Sequence, residues 1–142
     1  MKSTYLLKSI IGLTGIIIMF MGINIGFGGI ETLGWQISPD FVSVNNATQY
    51  AIQDNHIRFI GGVWFGIGAV FLLGTVAMKQ VQTVLVTSCY IIAVAGLFRL
   101  SALDPNLILS IAIAPSITLE IIGFPLLAWW INSNSAKSMS IR

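Results

Sequence analysis

Three ionisable side chains, Arg58, Arg99 and Glu120, lie within or at the edge of long apolar runs of the sequence. In a membrane an ionisable group in such a run costs several kcal/mol, so it usually faces the interior of a helix bundle and has a partner. Two guanidinium groups and one carboxylate can form ion pairs, bind a polar head group or an anion, or relay a proton through Glu120. These residue types indicate either binding of a polar group or ion pairs that hold helices together in a membrane.

The elements that carry these residues are apolar helices. The chain has 142 residues, of which 56% are hydrophobic and 8% charged, whereas soluble domains have about 25% charged residues. Four runs are long enough to cross a bilayer; the predicted spans are residues 5–30, 56–78, 81–101 and 107–131. We therefore predict an all-α membrane protein in one domain, residues 1–142, folded as an antiparallel four-transmembrane-helix bundle with one longer extracytoplasmic loop at residues 31–54.

The placement of charges predicts the orientation of this bundle. In a four-span arrangement one side carries five basic residues: Lys2, Lys8, Lys79, Lys137 and Arg142. The other side carries acidic residues and no lysine: Glu31, Asp40, Asp54 and Asp104. The positive-inside rule then places both termini in the cytoplasm. With a retained first helix, this pattern predicts an integral protein of a bacterial cytoplasmic (inner) membrane.

Helical spacing predicts that the polar residues of the four spans face one another. Arg58 opens the second span from the outer side, Arg99 closes the third span toward that side, and Glu31 ends the first span there. We therefore predict a polar pocket at the outer side, beneath the long loop, whose residues either bind a ligand or form structural ion pairs. The residues predicted to line it are Arg58, Arg99, Glu120, Asn24, Glu31 and His56.

Glycines share the helical faces of these charged residues. Gly61, Gly62 and Gly66 follow Arg58, and Gly96 precedes Arg99 by three positions. Small residues at such spacing let helix backbones approach closely in a membrane. We predict that these four glycines pack helices together, either within one chain or against another subunit.

The fourth span allows two registers, because it contains Pro115 and Pro125. In one register a helix runs from Leu107 and is kinked at Pro115. In the other, Pro115 lies at the start of the helix and residues 102–114 form an apolar segment at the membrane interface. The second register places Glu120 near the outer quarter of the bilayer.

Single occurrences of key residue types exclude several kinds of site. His56 is the only histidine and Cys89 the only cysteine, so multi-histidine metal or haem sites and an internal disulfide are excluded. Asp54 or Asn55 is predicted to cap the start of the second helix. No nucleophile elbow, P-loop or dinucleotide fingerprint is present, and the scattered basic residues exclude nucleic acid as a partner. No catalytic residue and no metal ligand is therefore predicted.

The order of these short motifs resembles one family over nearly the whole chain, from the first helix to Trp130. The motifs are Asn55-x-x-Arg58 with Gly61-Gly62 and Gly66, then Gly96-x-x-Arg99 and Leu119-Glu120. They resemble the DUF4345 family, which is similar in outline to DoxX-like four-helix membrane proteins. The resemblance implies a four-span bundle with Arg58, Arg99 and Glu120 at family-type positions. It implies no activity, and DoxX-like relatives associated with quinone or sulfur redox chemistry are an analogy of fold.

The sequence favours a non-enzymatic membrane component, either an accessory subunit or a binder of a small amphiphile at the outer pocket. No cofactor is predicted, and the ligand expected there is a lipid or a quinone. The expected partners are the lipid bilayer and either another membrane protein or further copies of the chain. Two alternatives are a quinone-handling subunit of a membrane oxidoreductase and a small proton-coupled transporter that uses Glu120. The single cysteine argues against thiol redox chemistry.

Overall fold

A computed structural model describes residues 2–35 and 44–139 of the chain, so Asp40, Arg142 and the middle of the predicted outer loop lie outside the described residues. The described chain is mainly helical and contains no strand. Five α-helices follow one another: α1 (Lys2–Gly28), α2 (Ala47–Arg99), α3 (Pro105–Ile108), α4 (Ala114–Thr118) and α5 (Phe124–Met139). Two 3-10 turns, Gly29–Trp35 and Leu100–Ala102, and a π-helical turn, Leu119–Gly123, join them. The predicted all-α class is confirmed.

Three helical stretches are long and apolar enough to cross a membrane: Tyr5–Thr32, Ala47–Ala102 and Ala114–Asn134. They indicate an integral membrane protein. The middle stretch has 56 residues, which at about 1.5 Å per residue is more than twice the thickness of a hydrocarbon core of about 30 Å. Its helix is interrupted at Ala77, where φ is −120° and ψ is 38°. This break lies close to the boundary predicted between the second and third spans at Lys79-Gln80.

By its internal contacts the chain divides into two units: a first unit, Ser9–Val76, and a second unit that combines Met1–Lys8 with Ala77–Arg142. In the first unit α1 packs antiparallel against residues 47–76 of α2. Gly12 faces Thr75 near one end of this pair, and Gly26 faces Gly61 near the other. A Cβ atom at Gly61 would lie 2.6 Å from the Cα of Gly26. The two backbones therefore touch, because neither glycine has a side chain to hold them apart.

In the second unit, residues 78–99 of α2 pack antiparallel against the helix that begins at Ala114. Gln82 donates a hydrogen bond to Asn132 at 3.1 Å near one end, and Arg99 meets Glu120 near the other. Buried residues recur every three or four positions along both helices, as expected for two helices that share an apolar face. They are Leu85, Ser88, Cys89, Ile92, Ile117, Glu120, Phe124, Leu127, Ala128 and Ile131.

The structure corrects the predicted start of one helix and agrees with one of the two registers predicted for another. α2 begins at Ala47, and its N-cap is Asn46, whose side-chain oxygen accepts from the Gln49 amide at 3.1 Å. The predicted cap at Asp54 or Asn55 was wrong, because the helix starts before both residues. The last membrane-length helical stretch begins at Ala114 with Pro115 in its first turn, which agrees with the second of the two registers. Proline fits there because the first-turn amides have no partner within the helix.

Candidate functional site

An ion pair between two helices of the second unit is the most distinctive polar feature of the described chain. Arg99, the last residue of α2, places Nη2 at 2.9 Å from Oε1 of Glu120. Glu120 is 8% exposed, whereas the Arg99 side chain is 44% exposed. The buried carboxylate is therefore neutralised by a guanidinium group that reaches it from the surface.

A π-helical turn carries Glu120. The Phe124 amide donates to the carbonyl of Leu119, five residues earlier, instead of four as in an α-helix. Pro125 explains this widening, because a proline has no N–H and its ring crowds the carbonyl four residues before it, here that of Ile121. Such turns are frequent at functional sites. From the sequence, Pro125 was considered only for the register of the fourth predicted span, and its effect on the helix turn that carries Glu120 was missed.

Gly96 makes room for the carboxylate, one helical turn before Arg99. A Cβ atom at this position would lie 2.7 Å from Cβ of Glu120 and 3.1 Å from its Oε2. Any larger residue would therefore push Glu120 away from the helix that carries its partner. Oε2 is fully buried and has no hydrogen-bond partner among the described residues. An acceptor buried in this way costs about 1–3 kcal/mol, so half of the carboxylate is a polar group that the described chain does not satisfy.

Arg99 keeps donors available. Its contact with Glu120 uses Nη2, and no hydrogen bond of Nε or Nη1 is formed within the described residues. The neighbouring surface is apolar: Phe98 is 72% exposed and Leu103 is 85% exposed. A guanidinium group with free N–H groups therefore lies on an apolar surface at the end of a membrane-length helix.

Arg58 has a different role, in the first unit. Its Nε lies 2.6 Å from Oδ2 of Asp54, one turn earlier on α2, and its Nη1 donates to the carbonyls of Gly26 and Phe27. These carbonyls end α1 and have no partner within that helix. Oδ1 of Asp54 accepts from the Ile30 amide at 2.9 Å. The Asp54–Arg58 pair therefore caps the end of α1, and a positive charge there also complements the helix dipole.

The same turn requires a glycine. Gly29 follows α1 with φ of +67°, a conformation that side-chain-bearing residues rarely adopt. A Cβ atom at Gly29 would also collide with the Asp54 carboxylate. Sequence reasoning missed Asp54 as the partner of Arg58. The spacing of four residues would have revealed the pair, had the start of α2 been placed at Ala47.

The other predicted pocket residues have local roles or none. Asn24 accepts a hydrogen bond from the Thr32 hydroxyl at its backbone carbonyl, at 2.9 Å. Glu31 is exposed and accepts a long hydrogen bond of 3.4 Å from the Tyr50 hydroxyl. His56 is exposed and forms no hydrogen bond within the described residues. These three residues belong to the first unit, as Arg58 does. A single pocket that also includes Arg99 and Glu120 stays a prediction.

The four predicted packing glycines fall into two groups. Gly61 lies against the backbone of α1, and Gly96 lies against Glu120. Gly62 and Gly66 differ, because a Cβ atom at either would meet nothing within 4 Å. In the described parts of the chain, no group of three or more histidine, cysteine, aspartate or glutamate residues could hold a metal ion.

The family described as a domain of unknown function, DUF4345, matches residues 6–131, which is most of the chain. The resemblance drawn from the short motifs is thereby confirmed. No curated protein and no solved structure matches the chain.

Proposed function

We propose that this chain, which belongs to the DUF4345 family, is a non-enzymatic membrane component that binds a small amphiphile through Arg99 beside Glu120. The amphiphile has an oxygen acceptor at one end, which receives hydrogen bonds from Arg99, and an apolar body that lies along the neighbouring helix surface. Lipid head groups and the carbonyl oxygens of quinones share this chemistry.

One observation carries the proposal: the half-exposed guanidinium group of Arg99, whose Nε and Nη1 have no acceptor within the described residues. In a membrane a donor without an acceptor costs free energy, because no water is present to accept its hydrogen bond. The exposed side chains of Phe98 and Leu103 beside it favour an apolar environment. A molecule with an oxygen head and an apolar body satisfies both requirements at once.

The charge of Glu120 supports a small head group over a multivalent anion. Because the carboxylate already neutralises Arg99 at 2.9 Å, the pair as a whole has no net charge. A head group is therefore bound mainly by hydrogen bonds from the N–H groups of Arg99, and net electrostatic attraction contributes less. We therefore expect neutral acceptors and singly charged head groups to bind better than multivalent anions.

We further propose that the chain forms a four-span antiparallel bundle in a bacterial inner membrane, with both termini in the cytoplasm. The antiparallel helix pair in each unit and the break at Ala77 support four spans. The basic residues on one predicted side support the orientation. Green fluorescent protein fused after Arg142 should fluoresce, and alkaline phosphatase inserted at Asn45 should be active. The reverse pattern would exclude this orientation.

Native mass spectrometry of the protein, extracted from its own membrane in mild detergent, tests the amphiphile proposal. The wild type should carry an additional mass of a few hundred daltons. The doubly substituted variant Arg99→Gln, Glu120→Gln should lose it, because this variant removes the guanidinium donors without leaving a buried carboxylate unpaired. Arg58→Gln is the matched control and should retain the mass, because Arg58 donates to the end of α1.

Four outcomes would overturn the proposal. A wild type without additional mass, or equal retention by all variants, would leave the Arg99–Glu120 pair as a helix fastener only. Loss of the mass in Arg58→Gln alone would place the ligand in the first unit. A polypeptide that comigrates with the wild type, with no small molecule bound, would indicate an accessory subunit instead.

A quinone is a second, narrower candidate, and the exposed ring of Phe98 favours it. Phe98 is adjacent to Arg99 in the chain and 72% exposed. An aromatic ring beside a hydrogen-bond donor suits the flat head group of a quinone, which stacks on the ring and accepts from the guanidinium group. A redox difference spectrum of the purified protein should then show a quinone that is lost in Phe98→Leu. A wild-type spectrum without quinone bands would exclude this candidate, and so would quinone bands that stay unchanged in Phe98→Leu.

A further inference from the structure

Residues 103–113 connect the end of α2 to α4 and form a segment with an unusual surface. Three of its side chains are the most exposed large apolar ones among the described residues of the second unit: Leu103 at 85%, Leu109 at 77% and Ile111 at 94%. Asp104 is its only charged residue. The segment contains only the short helix α3 and turns, so most of its backbone lies outside a regular helix.

The polar side chains around this segment fold back onto the backbone. The carboxylate of Asp104 accepts from the amides of Asn106 and Leu107, at 3.0 and 3.3 Å. The hydroxyl of Ser110 donates to the carbonyl of Leu107 at 2.7 Å. Such internal hydrogen bonds satisfy backbone groups where water is scarce. Beside these polar groups, Leu103, Leu109 and Ile111 present large apolar side chains outward.

The backbone itself sets how deep the segment can lie in a membrane. The amides of Ile111 and Ala112 donate to no acceptor within the described residues. Irregular backbone with open amides does not occur against hydrocarbon, because each unsatisfied group costs several kcal/mol. Bulk water is equally unsuitable for three apolar side chains exposed to this degree. The boundary between head groups and acyl chains offers acceptors for the amides and hydrocarbon for the side chains.

We propose that residues 103–113 are a membrane-interface anchor, in which Leu109 and Ile111 insert among lipid acyl chains while the open amides face the head groups. The occupant of this surface is lipid. The inference rests on the chain being an integral membrane protein, and it does not depend on amphiphile binding at Arg99. It gives the second unit a fixed depth at the end where the Arg99–Glu120 pair lies.

Fluorescence quenching in vesicles of phosphatidylcholine and phosphatidylglycerol tests the anchor. The chain of residues 1–142 first receives Cys89→Ala, because Cys89 is its only cysteine. An environment-sensitive fluorophore is then attached in separate variants at Leu109→Cys, Ile111→Cys and Asn106→Cys. Val94→Cys, on an exposed part of the helix 78–99, is the reference for deep lipid contact. Each variant must elute from a size-exclusion column as its unlabelled parent does.

Nitroxide lipids and aqueous iodide then report depth. At Leu109 and Ile111, a nitroxide near the top of the acyl chain should quench more strongly than one near the chain end. Iodide should quench less there than at Asn106. At Val94 the order of the two nitroxides should be reversed. This pattern would place the segment about 5–10 Å into the boundary between head groups and acyl chains.

Three results would overturn the anchor. Strong iodide quenching without nitroxide quenching at Leu109 and Ile111 would make the segment a water-exposed loop. Quenching that follows the Val94 pattern would place it in the hydrocarbon core. Protection from every quencher that disappears when the protein is diluted in lipid would show that a second copy of the chain covers it.

Discussion

The two units of the chain use an arginine–carboxylate pair in different ways. In the first unit Arg58 and Asp54 lie one turn apart on the same helix, and both also bind the backbone at the end of α1. In the second unit Arg99 and Glu120 come from different helices, and neither has a further hydrogen bond within the described residues. In the first pair both carboxylate oxygens and two guanidinium nitrogens, Nε and Nη1, are bonded within the chain. In the second pair Nε and Nη1 of the arginine and one carboxylate oxygen stay available.

This difference shows that the presence of an intramembrane charge does not by itself locate a binding site. Both arginines follow a similar pattern in the sequence, and both lie near the end of an apolar run with glycines nearby. What separates them is the number of hydrogen-bonding groups left over after the helices have packed. By this criterion Arg99, with two nitrogens open, is a better candidate for ligand binding than Arg58, which donates from two nitrogens to Asp54 and to the end of α1.

The two units also differ in how closely their helices pack. The first unit brings backbones together at glycines such as Gly22 and Gly61, where a Cβ atom would collide with the opposite helix. The second unit separates its helices by side chains such as Leu85, Ile92 and Phe124, which are buried. Side-chain packing leaves room for a carboxylate between the helices, and Gly96 has to be small where that carboxylate lies.

The largest effect is expected at the glycine contact. Gly61→Leu should lower the free energy of unfolding by about 3 kcal/mol relative to Gly62→Leu, because overpacking costs about this much and the Gly61 Cβ would lie 2.6 Å from Cα of Gly26. Both substitutions raise helix propensity equally, so their difference isolates packing. Unfolding in mixed detergent micelles, followed by circular dichroism, measures it. Equal losses would show that the backbones do not touch.

An intermediate effect is expected at the Arg99–Glu120 pair. Arg99→Leu and Glu120→Leu should each cost about 2 kcal/mol, because each leaves a charged partner without its hydrogen bond. The double variant should lose less than the sum of the two, by about 1 kcal/mol. The same unfolding measurement supplies all four corners of this cycle. Additive losses would mean that the two side chains do not interact.

The smallest effect is expected at Arg58. Arg58→Met should cost about 0.5–1 kcal/mol, the usual contribution of a cation at a helix C-terminus, because the Arg58 side chain is 41% exposed. Hydrogen exchange should speed up at residues 26–30 and stay unchanged at residues 78–99. Lys79→Met, which removes an exposed charge elsewhere, is the control. Faster exchange across the whole chain would mean that Arg58 supports more than the end of α1.

Part of the candidate site could be predicted from the sequence. Arg99 and Glu120 were identified because charges are rare in this chain, and a rare charge in an apolar run needs a partner. The register that starts the last helix at Pro115 was one of two predicted, because proline tolerates few helix positions. The pairing of Asp54 with Arg58 was missed because the polar stretch from Glu31 to Asp54 was interpreted as a loop, whereas α2 already begins at Ala47.

The sequence by itself determined the helical class, the membrane-length apolar segments and the identity of the charged residues. These follow from composition and periodicity, which act locally along the chain. Only the tertiary structure decided which polar groups find partners within the described residues: the hydrogen bonds of Arg58 to the end of α1, the buried oxygen of Glu120 left without a partner, and the open donors of Arg99. Hydrogen-bond satisfaction depends on which atoms of distant residues meet, and residue types and their spacing do not specify that.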